Sequence, residues 1–212
     1  MAEDNFVEEF LNNNNPTGWF EVLYAKANGN PENVPWQNNQ AHPVFLSWLD
    51  KNPLVGDGKR ALVIGCGLGN DAELLAELGF EVTAFDISPT AIEWCQQRFP
   101  NSSVDYQVSD LFNPPQMWLA HFDFVLEIYT IQALPPDIQQ KAAEAVTRYL
   151  APKGHLFVVA ILREETDPLS GPPWPLTKTS FDQFQQLGLH PVSFEIEEKT
   201  GFSRHAKALY QA

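Results

Sequence analysis

Residues 60–88, RALVIGCGLGNDAELLAELGFEVTAFDIS, place three glycines in five positions between an apolar run and a helical pattern. Glycine of this density fits a strand that hands over to a helix through a tight turn. The same strand-then-helix alternation continues downstream. ALVIG (61–65) precedes NDAELLAEL, EVTAFD (81–86) precedes PTAIEWCQQRF, and SVDYQVSD (103–110) precedes a proline-broken segment. FDFVLEI (122–128) precedes a helix from Asp137 to Leu150, in which Ile138, Ala142, Ala145 and Tyr149 recur at helical spacing. Strands alternating with amphipathic helices predict an α/β fold built on a parallel sheet.

The end of the chain departs from that alternation. GHLFVVAIL (154–162) reads as a buried strand, SFDQFQQLGL (180–189) as a helix capped by Ser180, and VSFEIEEKT and SRHAKALYQA as two more strands joined near Thr200-Gly201. That connection is far shorter than the dozen or so residues a parallel crossover needs, so the last strand is expected to run antiparallel. Upstream of the glycines, FVEEFL, WFEVLYAKA and HPVFLSWLDKN read as helices around the loop GNPENVPWQNN. The expectation is one domain over residues 1–212, with a helical cap (1–58) ahead of the sheet (59–212); a 44% hydrophobic content is enough to fill its core.

The glycine loop can hold a dinucleotide phosphate or a different adenosyl ligand, or merely turn the chain. A dinucleotide fingerprint requires a third glycine three positions after the second, where this chain has Asn70. Gly65, Gly67 and Gly69 instead leave the backbone open to a bulky, uncharged ligand. Asp71 follows the loop, Asp86 closes the second strand and Asp110 closes the third. Carboxylates at those places suit a ligand amine, two ribose hydroxyls and an adenine amino group respectively, at the sheet edge where open α/β folds bind ligands. An adenosyl ligand without phosphate is S-adenosylmethionine.

The GxGxG loop, the acidic second-strand end, the Ser-Asp at the third strand and the antiparallel final strand resemble the class I S-adenosylmethionine-dependent methyltransferases. WFEVLYAKANGNPENVPW, QNNQAHPVFLSWL, GCGLGND, EIYTIQAL and GPPWPLT are similar in order and spacing to the thiopurine, thiol and halide methyltransferase group across nearly the whole chain. The resemblance implies a Rossmann-like, mostly parallel seven-stranded sheet with an antiparallel last strand. It also implies that Trp19 and Trp36 line the cofactor and substrate cavity. The expected cofactor-binding set is Trp19, Trp36, Gly65, Cys66, Gly67, Gly69, Asp71, Asp86, Ile87, Asp110, Leu111 and Glu127. Cys66, between two glycines, is read as fitting the turn, and not as a nucleophile.

On the acceptor side, Asn113-Pro114-Pro115-Gln116 imitates an amino-gripping box but follows the third strand, not the fourth, and is read as a loop. Tyr129, after the fourth strand, is the candidate catalytic residue, with His42 and Trp174 as further substrate contacts and Trp174 read as part of a lid. His155 and His190 are read as opening strands, and no histidine or lysine is expected near Tyr129 to remove a proton. A small, soft acceptor such as a thiol, a halide or a chalcogen anion needs no such base. A nitrogen or oxygen acceptor on a small metabolite, or S-adenosylmethionine binding without transfer, stand as alternatives.

With 27 acidic against 13 basic residues the net charge is −14, which disfavours nucleic acid and anionic membrane as partners. Two cysteines without a CxxC pair, and five histidines without metal-ligand spacing, suggest neither a disulfide framework nor a metal site. The opening MAEDNFVEEF lacks the basic-then-apolar pattern of a signal peptide. A cytoplasmic protein acting on a small molecule, as monomer or weak dimer, is the expectation.

Overall fold

Strand β1 (Arg60–Ile64) is buried from Ala61 onward, as a strand covered on both faces must be. The structure, a computed structural model, describes residues 4–36, 40–198 and 204–212. The QNN run at 37–39 and the Thr200-Gly201 connection lie outside the described residues. Helices α1 (Asp4–Asn12), α2 (Gly18–Ala27) and α3 (Pro43–Leu49) precede β1. Then follow α4 (Asn70–Glu77), β2 (Glu81–Asp86), α5 (Pro89–Arg98), β3 (Asp105–Val108), β4 (Phe122–Ile128), α6 (Pro136–Thr147), β5 (Leu150–Leu162), α7 (Lys178–Gln186), β6 (His190–Glu198) and β7 (Arg204–Gln211).

The seven strands form one sheet in the order β3-β2-β1-β4-β5-β7-β6. β1 pairs in parallel with both β2 and β4, β2 with β3, and β4 with β5, while β7 runs antiparallel to both β5 and β6. The fold is therefore the Rossmann-like α/β arrangement with an antiparallel last strand. Chain order reverses between β1 and β4, which opens a crevice above their carboxyl ends.

One apolar cluster packs α6 and α7 on one face through Ala142, Val146, Phe181 and Phe184. The other packs α3, α4 and α5 through Val44, Phe45, Leu75 and Ile92. A third, smaller cluster of Tyr24, Ala27, Val34, Leu68, Ala91 and Trp94 seats α2 against the glycine loop and α5. Glu21 fastens the same contact: its carboxylate accepts from Ser88 Oγ at 2.6 Å, Thr90 N at 3.2 Å and Thr90 Oγ1 at 2.6 Å. Burial raises the Glu21 carboxyl, but these hydrogen bonds outweigh it and hold the group below its ordinary value.

Three local readings need correction. The sixth helix stops at Thr147 and not at Leu150, because the Tyr149 carbonyl accepts from His121 N and Phe122 N and draws the chain into the sheet. The cap of α7 is Thr177, with Ser180 three residues on, completing a reciprocal capping box. His155 lies inside β5, opposite Phe124, whereas His190 does open β6.

Candidate active site

The crevice widens into a cavity of about 1060 Å³. Ligand sites usually span ~300–1,000 Å³, so there is room for two ligands side by side. Its floor is the loop from Gly65 to Gly69, and its roof is α2. At Gly65, φ is +58° and a Cβ would lie 2.5 Å from Thr130 Oγ1. At Gly69, φ is +85° and a Cβ would lie 2.5 Å from the Tyr106 hydroxyl. Both positions thus demand glycine twice over, by conformation and by space. Arg98 reaches from α5 to the Leu68 carbonyl and to Asn70 Oδ1, fixing the loop from below.

Asp86 ends β2 beside this loop, 6% exposed. Its Oδ2 accepts from Gly67 N at 3.0 Å and its Oδ1 from Ser88 N at 2.9 Å, so the carboxylate braces the loop as well as facing the cavity. Burial pushes its carboxyl up to about 6, against the opposing pull of backbone N–H groups of Ser88, Gly67 and Ile87. Asp71 is likewise raised to about 6 by burial; one of its oxygens accepts from His42 N at 2.7 Å. Asp110 Oδ1 accepts from Phe112 N at 2.9 Å. Asp71, Asp86 and Asp110 converge on one cavity, together with Ile87, Leu111, Cys66, Gly65, Gly67 and Gly69. Among its described residues Lys26 is the one lysine or arginine on the wall, so nothing there resembles a phosphate clamp.

Trp19 and Trp36 also line the cavity, their rings 6.0 Å apart and edge to face. Trp19 is 3% exposed, and Trp36 Nε1 donates to the Tyr24 hydroxyl at 3.1 Å. Phe20, Leu23 and Tyr24 complete this wall and were not singled out from the sequence. Their signal was the four-residue spacing of Trp19 with Leu23 and of Phe20 with Tyr24, which puts each pair on one side of a helix.

Beyond the loop, the turn after β4 brings Tyr129 onto the same cavity wall, whose apolar members include Phe20, Leu134, Ile161, Pro172 and Pro173. Tyr129 has φ +64°, a conformation uncommon for a bulky side chain. Burial raises its phenol well above the ordinary value, so the hydroxyl stays protonated and acts as a donor. His42 lines the same cavity with its ring 4.7 Å from that of Tyr129, and the His205 ring, 5.9 Å from Tyr129 and 6.5 Å from His42, completes a triangle of rings without reaching the cavity wall. No histidine was expected here to remove a proton; His42 nevertheless adjoins Tyr129 on the wall, and His205 adjoins it from β7. His205 was missed because only the register of β7 against β5 brings it there, opposite Ile161. His42 Nδ1 accepts from Val44 N at 3.3 Å, which places the proton of the neutral ring on Nε2.

Two expected contacts are not on the wall. Glu127 is fully buried on the opposite face of β4 from Leu126 and Ile128, because side chains alternate along a strand. Trp174 is 9% exposed and turned inward; its N–H donates to the Gln132 carbonyl at 2.6 Å, and it is the preceding Gly171, Pro172 and Pro173 that line the cavity. Asn113, Pro114 and Pro115 stay outside the cavity wall, in keeping with a plain loop.

Comparison with known proteins gives consistent results. The thiopurine S-methyltransferase family matches residues 28–203. Thiocyanate methyltransferase 1 of Arabidopsis thaliana is 26% identical over 197 residues, 89% of this chain and 81% of that protein. Probable thiol methyltransferase 2 of the same plant is 26% identical over 201 residues, covering 92% of this chain and 81% of that protein. The N-methyltransferase NodS of Bradyrhizobium japonicum, solved with S-adenosyl-L-homocysteine, superposes with a TM-score of 0.71 at 21% identity, over 91% of this chain and 97% of that one.

Proposed function

This chain belongs to the thiopurine S-methyltransferase family and is an S-adenosylmethionine-dependent methyltransferase, and from that premise we propose that its acceptor is a small soft nucleophile: a thiol, a halide or a chalcogen-type anion. The residues present fit the methyl donor, since three carboxylates and a glycine loop meet in one cavity with no basic clamp for phosphate. When bound, S-adenosylmethionine supplies a methyl group on a sulfonium, open to in-line attack. We assign Asp86 to the ribose hydroxyls, Asp110 to the adenine amino group and Asp71 to the amine. Ile87 and Leu111 give the adenine apolar contact, and the backbone of Gly65, Cys66, Gly67 and Gly69 lies along the donor. Trp19 and Trp36 close the wall, exclude water and tolerate a cation over their faces.

The observation that carries the acceptor reading is the cavity wall that Tyr129 joins. It includes many aromatic and apolar side chains, it holds a phenol that stays protonated, and the Asn-Pro-Pro segment that would grip an amine lies elsewhere. Alignment of two reactants is the chief requirement of such a transfer, and is able to supply effective molarities of about 10⁵ M or more. Tyr129, with His42 beside it, orients the acceptor by donating hydrogen bonds. A second reading, an oxygen acceptor, is favoured by His42, whose ring lies on the cavity wall 4.7 Å from that of Tyr129. The helices ahead of β1 serve as the cap.

Incubation with methyl-labelled S-adenosylmethionine and a panel of thiols, iodide, thiocyanate, selenide, phenols and amines tests this directly. Label is expected in thiols or soft anions. Label confined to phenols would establish the oxygen-acceptor reading, and label confined to amines would overturn both.

A further inference from the structure

We propose that Glu127 is a positioning residue for methyl transfer, its carboxylate clamping the turn that presents Tyr129 to the acceptor, with Tyr129 taken as the acceptor contact assigned above. Glu127 stands on β4 between Ile64 of β1 and Val158 of β5, and is 0% exposed. A carboxylate gains nothing from such a place unless it holds something. Its Oε1 accepts from Thr130 N at 2.7 Å and Ile131 N at 3.0 Å, while Oε2 has no hydrogen-bond partner among the described residues. These two N–H groups come directly after Tyr129, at the point where the chain reverses. The turn is tied down again by Tyr129 N to the Val159 carbonyl at 3.0 Å and by Thr130 Oγ1 to the Ile64 carbonyl at 3.0 Å. Without an acceptor at Oε1, nothing in the described structure satisfies both amides.

The clamp also responds to pH. Burial raises the Glu127 carboxyl to about 7, opposed by its bonds to the Ile131 and Thr130 amides. The groups that face it are uncharged: Ile64 from β1, Val158 from β5 and Ile131 from the turn. The surrounding core holds two tyrosines, Tyr149 and Tyr210, both raised by burial and donating to the Leu111 and Phe181 carbonyls. An ionised carboxylate makes hydrogen bonds roughly twice as strong as a neutral one. The grip on the turn therefore weakens as pH falls through about 7.

The test compares wild type, Glu127→Gln, Tyr129→Phe and the double variant with one acceptor between about pH 6 and pH 8, measuring kcat, KM and the Kd of S-adenosylhomocysteine. Wild-type kcat, read at saturating S-adenosylmethionine, should fall several-fold toward the acid end, separately from the rise in Kd that Asp86 produces over the same range. Glu127→Gln should flatten that limb, and the double variant should be no slower than Tyr129→Phe alone, since one residue acts through the other. A limb retained in Glu127→Gln, or additive losses in the double variant, would overturn the clamp. A Tyr129→Phe enzyme at wild-type rate would overturn the acceptor role of Tyr129, while the limb in Glu127→Gln still decides the clamp. If Glu127→Gln does not fold, amide exchange in the wild type decides. Protection at Thr130 and Ile131 should drop on acidification relative to the Cys66 amide, which is bonded to the Phe85 carbonyl; unchanged protection overturns the clamp.

Discussion

Asp86 is asked to do two things with one carboxylate, and its chemistry sets a measurable limit on both. It braces Gly67 and Ser88, and in the function proposed here it also takes the ribose hydroxyls. Asp86→Ala should therefore lower the melting temperature as well as weaken S-adenosylhomocysteine, by about 1.5–3 kcal/mol for charged hydrogen bonds, or roughly 10- to 150-fold in Kd. With its carboxyl at about 6, the charge is present above that pH and lost below it, so affinity should fall between about pH 7.5 and pH 5.5. Calorimetric titrations giving the same Kd at both values would remove Asp86 from the ribose site. At this scale the sequence was legible where a residue ends a strand or belongs to the glycine loop, because those places converge on one edge whatever the packing. It misled at Glu127, where reaching the end of β4 says nothing about which face the side chain takes, and at Trp174, whose backbone bond to Gln132 turns it away from the cavity. His205 was out of reach, since strand register across the sheet is not a local property.

Among the elements, α2 matters most, for it carries Trp19, Phe20, Leu23 and Tyr24 over the cavity yet rests on the core through a small apolar cluster and the Glu21 carboxylate. Glu21→Ala removes three hydrogen bonds from that contact, each worth about 0.5–1.5 kcal/mol net. The expected outcome is faster proteolytic cleavage in the segment around α2 and weaker S-adenosylhomocysteine binding, with the sheet left intact by circular dichroism. Unchanged cleavage and affinity would show that the apolar cluster alone holds the helix. Every strand and every main helix of the described residues was foreseen as an element, because apolar runs and helical spacing are strong local signals. The ends of α6 and α7 were not, since a carbonyl drawn to β4 and a reciprocal Thr177–Ser180 pair decide them.

For the whole molecule, buried acids govern how stability varies with pH. Asp71 and Asp86 at about 6 and Glu127 at about 7 all stand above the ~4 of free carboxylates, so the folded chain binds those protons more tightly than the unfolded one. Their contribution is complete below the unfolded values and is lost as pH rises through about 6 to 7. Burial lowers His155, which acts in the opposite sense, while the lowered carboxyls of Glu21, Glu165 and Glu197 change charge only at more acid pH than this window. The ligand-free protein should thus melt at a higher temperature near pH 5.5 than near pH 8, and Glu127→Gln should reduce the difference. Scanning calorimetry that finds the reverse order would mean these carboxylates are solvated. Fold class and sheet polarity were legible in the sequence because the short link before β7 permits no parallel crossover. That same strand has a consequence for synthesis. β7 is the last of the seven to leave the ribosome, yet it lies between β5 and β6 and pairs with both. Until it emerges, β5 presents an unpaired edge and β6 has no strand to join, so the nascent chain carries two open edges that only the final insertion closes. A translation pause or premature stop before Arg204 would therefore leave an aggregation-prone chain to chaperones and proteases, and not a shortened enzyme.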